Sequence, residues 1–168
     1  VEGDKKMTQV MIDKVFSFGE LGFQEFETSK YLSNILEENG FELQYNISDI
    51  PTSWLAKWSN GSGGPVIALG SDFDGVPSTS QYPGVAYEKP VVEGAPGHGE
   101  GHNIGLPIVI TASLSIKKVM TENNINGTLL LWPGVAEEIL GSKAWYVRDG
   151  YFDNVDMCIF TPVSYTHL

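Results

Sequence analysis

Two short apolar runs constrain this chain more than anything else in it. Val66-Ile67-Ala68-Leu69-Gly70 and Thr128-Leu129-Leu130-Leu131-Trp132 have no polar alternation and are too short for helices. They read as strands covered on both faces, which requires helices above and below a sheet. Each run leads within a few residues into paired acids, Asp72 and Asp74 in one case and Glu137-Glu138 in the other. In layered α/β sheets chemistry collects beyond the carboxyl ends of strands.

The rest of the pattern agrees. Val10, Met11, Lys14, Val15 and Phe18 fall at helical spacing within 7–18, closed by Gly19. Tyr31, Leu32, Ile35 and Leu36 mark a second helix over 28–39, ending at Gly40. Phe41–Tyr45 alternates as a half-buried strand, and Ser53–Trp58 has strand character. Residues 72–106 are rich in glycine and proline and show little periodicity; so long a loop inside a compact domain is usually functional. Helical spacing resumes over 107–120, with Pro107 suited to a first turn. Gly141–Val147 reads as a helix and Val155–Phe160 as a last strand. The expected fold is a three-layer α/β/α domain with a mostly parallel mixed sheet.

Composition narrows the partners. Net charge is −11 over 168 residues, which argues against nucleic acid, since phosphate binding needs a basic face. Two bound divalent cations would offset about four of those charges. No unbroken apolar run reaches the ~18 residues of a membrane helix, so no membrane association is expected. The single cysteine, Cys158, excludes an internal disulfide and reads as a small buried hydrophobe. The chain begins at Val1 rather than Met, which leaves cytoplasmic and exported locations both open.

Three clusters can do chemistry. His98-Gly99-Glu100-Gly101-His102 holds two of the three histidines. In extended backbone the side chains at i, i+2 and i+4 share one side and can converge on an ion. Imidazole with carboxylate suits zinc, manganese, cobalt or iron; the bland alternative is an exposed polar loop. Adjacent carboxylates Glu137-Glu138 past a buried strand can divide the work, one on an ion and one moving protons, or simply open a solvated helix. Asp72 and Asp74 share a side, so that Asp72 can face a site while Asp74 orients a ligand from behind; ordinary turn chemistry is the alternative.

Taken in order, Glu20-Leu-Gly-Phe-Gln-Glu25, Asp72-Phe-Asp74-Gly-Val-Pro77, Glu93-Gly-Ala-Pro-Gly-His-Gly-Glu-Gly-His-Asn103 and Pro133 followed by Glu138 resemble the zinc-dependent aminoacylase / carboxypeptidase G family. The nearest likeness is the amidohydrolase branch that includes the aminobenzoyl-glutamate hydrolases. The resemblance implies a zinc-peptidase-like fold and a dinuclear Zn or Mn site that hydrolyses small amide substrates such as N-acyl amino acids. His102, Glu138 and Glu100 would be metal ligands and Glu137 the general base. Asp74 would support the site, and His98 and Asp72 would lie beside it.

There are three departures. Glu100 stands where the branch usually has cysteine, which moves the site away from soft metals. Asp72 stands where many relatives have histidine. Residues 162–168 do not continue the pattern, in which a histidine is expected near 162. The resemblance therefore implies that 1–161 is the N-terminal part of a catalytic domain, followed by an atypical, truncated or chimeric tail in which His167 is not a ligand. A dimerisation (lid) domain, through which a homodimer would form, lies outside the chain. The alternative is a metal-binding but inactive fragment or partner subunit.

Overall fold

The computed structural model describes residues 2–161. The tail at 162–168, with the expectations placed on it, lies outside them. Two helices come first, α1 (Lys5–Phe18) and α2 (Phe26–Glu38). They bury Met11 and Val15 from α1, and Leu32 and Leu36 from α2, the faces their spacing marks out. α1 stops at Gly19, whose left-handed φ of 53° lets its N–H reach the Val15 carbonyl.

The strands are β1 (Glu42–Tyr45), β2 (Trp54–Asn60), β3 (Val66–Asp72), β4 (Gly127–Gly134) and β5 (Met157–Phe160). They form one sheet in the order β1-β2-β4-β3-β5. The sheet is mixed: β3 runs parallel to both neighbours, and β2 runs antiparallel to both of its own. The register of the central pair matters most. Val66 lies opposite Thr128 and Asp72 opposite Gly134, so both buried strands end side by side. Their acidic continuations therefore emerge at the same edge.

Helices cover both faces. α3 (His102–Glu122) packs on the face that carries Ser71; a Cβ at Gly105 would overlap the Ser71 hydroxyl. The opposite face carries Gly70 and Trp132. There α4 (Lys143–Arg148) supplies Tyr146, edge-on to Trp132 at 6.1 Å, and Phe152 and Phe160 complete the aromatic cluster, both at 5.1 Å. Gly70 leaves the space that the Trp132 ring fills. This is the three-layer α/β/α arrangement.

Two expectations need correction. α3 begins at His102, not Pro107. Pro107 lies just beyond the first turn, where its missing N–H costs the helix the bond to the Asn103 carbonyl. Cys158 is exposed rather than buried. Among the described residues β5 pairs only with β3, and its Met157 and Ile159 are exposed too. By length and hydropathy α3 matches a membrane span. In this fold one face of it packs inward, burying Leu106, Val109, Ile110 and Ser113, while Ile104, Ile108, Ile116 and Val119 are exposed.

Candidate metal centre

Glu100, His102, Glu137 and Glu138 come together, their ligand atoms all within 4.8 Å of one another. Two separate pieces of chain deliver them. Glu100 ends the long glycine-rich loop. His102 opens α3 after Gly101, whose φ of 111° turns the backbone into the helix. Glu137 and Glu138 occupy a short 3-10 turn just past β4. His102 is 3% exposed, while the carboxylates stand at the mouth of the site.

Asp74 organises this group from beneath. It is 1% exposed. Its backbone carbonyl accepts from His102 Nδ1 at 3.0 Å, and its Oδ1 lies 3.3 Å from the same nitrogen. Its Oδ2 accepts the Glu138 backbone N–H at 3.0 Å. With Nδ1 donating to Asp74, Nε2 is the nitrogen left facing the carboxylates, free to give up its proton to a metal ion. A backbone or carboxylate partner selects the tautomer of metal-binding histidines in this way. Nε2 is in contact with Glu100 Oε2 and 3.9 Å from Glu137 Oε2; Glu138 Oε1 is 4.0 Å from Nδ1.

The electrostatics fit a cation. Burial alone would lower the His102 pKa, but Asp74, Glu100 and Asp72 outweigh it and push the imidazole up to about 9. Glu138 is raised, first by burial and then by Glu100, Asp74 and Glu137, against the opposing pull of His102. Glu100 Oε2 is buried against His102 Nε2. One imidazole facing several carboxylates must hold a proton or a metal ion to be stable. Nitrogen and oxygen donors of this kind suit zinc or manganese.

His98 and Asp72 lie beside the group, each tied to a partner of its own. The 98–102 segment does not present all three side chains to one side, because the chain is not extended there: it bends at Gly99 and Glu100 and enters the helix at His102. His98 turns inward, and its Nε2 pairs with the Val15 carbonyl at 3.1 Å. Asp72 is held by Lys143, whose Nζ lies 2.8 Å from Oδ1. Burial nevertheless raises the Asp72 pKa to about 6, against the pull of Lys143. Lys143 was not singled out from the sequence. It lies 71 residues from Asp72, and only the parallel register of β3 and β4 brings the two together.

His98 makes a pH prediction. Burial lowers its pKa from 6.5 to about 4. The native state then binds fewer protons than the unfolded chain between those values, so stability falls as pH drops through that window. The loss is of order 3 kcal/mol at most. Urea unfolding near pH 7 and near pH 4 should show it, and His98→Gln should remove that part of the slope.

No protein-family model matches this chain. Fold and site together define the class, an α/β domain with a carboxylate-rich cluster that could hold a metal ion at the ends of its central strands. The homologues are amide hydrolases. The chain is 32% identical over 159 residues to a p-aminobenzoyl-glutamate hydrolase chain of Escherichia coli (strain K12), covering 95% of this chain and 33% of that protein. It is 32% identical over 139 residues to a hippurate hydrolase of Campylobacter jejuni, covering 82% of this chain and 33% of the relative. It thus spans about a third of the length of the curated relatives it matches. A Bacillus subtilis dinuclear metal binding peptidase of the M20 family shares the fold, with a TM-score of 0.81 at 23% identity over 96% of this chain and 44% of that one. The likeness read from the ordered motifs is met among these homologous sequences, and the Bacillus subtilis peptidase shares the fold.

Proposed function

We propose that this chain carries the metal-binding core of a hydrolase that cleaves the amide bond of N-acyl amino acids or small peptide-like substrates. The observation that carries the proposal is His102, with Nδ1 engaged by Asp74 and Nε2 aimed at Glu100 and Glu137. The names of the relatives, for p-aminobenzoyl-glutamate and hippurate hydrolysis, support the substrate class.

His102, Glu100 and Glu138 would hold the ions. When bound, divalent ions polarise an amide carbonyl and lower the pKa of bound water from 15.7 to roughly 7. Glu137 takes a proton from the attacking water as the oxygen–carbon bond forms. It then delivers that proton to the nitrogen as the carbon–nitrogen bond breaks. Asp74 keeps His102 in the ligating tautomer and fixes the backbone of Glu138. Replacing thiolate with the Glu100 carboxylate shifts the site toward harder ions such as manganese.

The test is to purify the intact protein with Mn²⁺ or Zn²⁺ and assay release of free amino acid from N-acyl amino acids. Metal-dependent release is expected, and a chelator should abolish it. Stoichiometric metal without turnover would support the inactive-partner reading instead. No metal uptake in excess would overturn both.

A further inference from the structure

Glu25 is the most completely buried carboxylate in the described chain that the proposed chemistry does not use, at 0% exposure. Its two oxygens have separate tasks. Oε1 accepts the Ala136 backbone N–H at 2.9 Å, and Oε2 accepts the Thr52 hydroxyl, also at 2.9 Å. Ala136 immediately precedes Glu137-Glu138 and has a left-handed φ of 55°, a conformation that residues with a Cβ seldom adopt. A persistent positive φ needs surroundings that enforce it.

Those surroundings are visible. A Cβ added at Gly22 or at Gly141 would lie 2.9 Å from the Ala136 Cβ, so both glycines close around it. The Ala136 carbonyl accepts the Gly141 N–H at 2.8 Å. The same 20–25 segment also reaches the other acidic loop, where the Gly75 N–H donates to the Glu20 carbonyl at 2.6 Å. One short stretch of chain therefore grips the loops that carry Asp74 and Glu137-Glu138.

We infer that Glu25 is a positioning residue. Its carboxylate holds Ala136 in the left-handed conformation that turns Glu137 and Glu138 toward His102. The inference rests on the metal-site reading above. Without the clamp the 3-10 turn is free to relax, and the two glutamates no longer converge.

The experiment is a cobalt titration of the intact protein, following Co²⁺ affinity and its visible ligand-field spectrum alongside Tm. Three variants are compared. Glu25→Gln retains an acceptor for Ala136 and should bind Co²⁺ within about threefold of wild type. Glu25→Leu removes the acceptor, and Glu25→Asp retracts it by about one carbon–carbon bond of ~1.5 Å. Both should weaken Co²⁺ binding by on the order of 10–100-fold, the usual effect of losing a group that orients ligands, and should alter the spectrum. If the leucine variant does not fold, the aspartate variant carries the test. A lowered Tm with wild-type affinity and spectrum would mean a purely structural role and would overturn the inference alone. No Co²⁺ binding by the wild type would overturn the metal-site reading and this inference with it.

Discussion

Replacing Glu137 with glutamine is expected to lower kcat by about 10²–10⁴-fold while leaving bound metal unchanged. That range is what a positioned general base contributes. Glu137 carries the proton-transfer role that the resemblance implies for it, while Asp74 ties down the backbone N–H of Glu138. Glu137 is more open, with its side chain 37% exposed and Oε2 3.9 Å from His102 Nε2. Glutamine keeps the size of the side chain and removes its ability to accept a proton. Steady-state kinetics and metal analysis on the same preparation check the prediction. Undiminished activity would remove Glu137 from the mechanism, and lost metal would make it a ligand.

Replacing His102 with alanine should have two large effects. Metal affinity should fall by at least about 100-fold, beyond the 10–100-fold typical of losing a group that merely orients a ligand. The metal-free protein should also lose about 3–5 kcal/mol, because Asp74 and Glu100 would be left near one another with no cation between them. The pKa of about 9 means that the imidazole serves as that cation when no metal is present. Equilibrium dialysis with Zn²⁺ and urea denaturation measure the two effects separately. A variant that binds metal normally would show that the cluster is not the centre.

The order of elements was legible because each apolar run is pure in its period. Val66–Gly70 and Thr128–Trp132 admit few readings besides buried strands. The acids that follow them were legible as candidates for the same reason. What could not be read was direction. Spacing alone puts His98, Glu100 and His102 on one side, but the chain bends at Gly99 and Glu100 before its helix starts at His102, and His98 pairs with the Val15 carbonyl instead. Glu25 gave no chemical signal, since its partners Thr52 and Ala136 are 27 and 111 residues away. Lys143 was hidden likewise, as one lysine in a short helix until the strand register sets it against Asp72. Cys158 was misread because an apolar run in an edge strand looks the same as one in the core.

Crystals of the protein soaked in Mn²⁺ or Zn²⁺ would test the central claim most directly, through anomalous scattering at the metal edge. An anomalous peak is expected about 2.0–2.2 Å from His102 Nε2, the usual zinc–ligand distance, with Glu100 and Glu138 oxygens completing its coordination. A peak elsewhere, or His102 Nε2 still turned to a carboxylate with no ion between them, would contradict it.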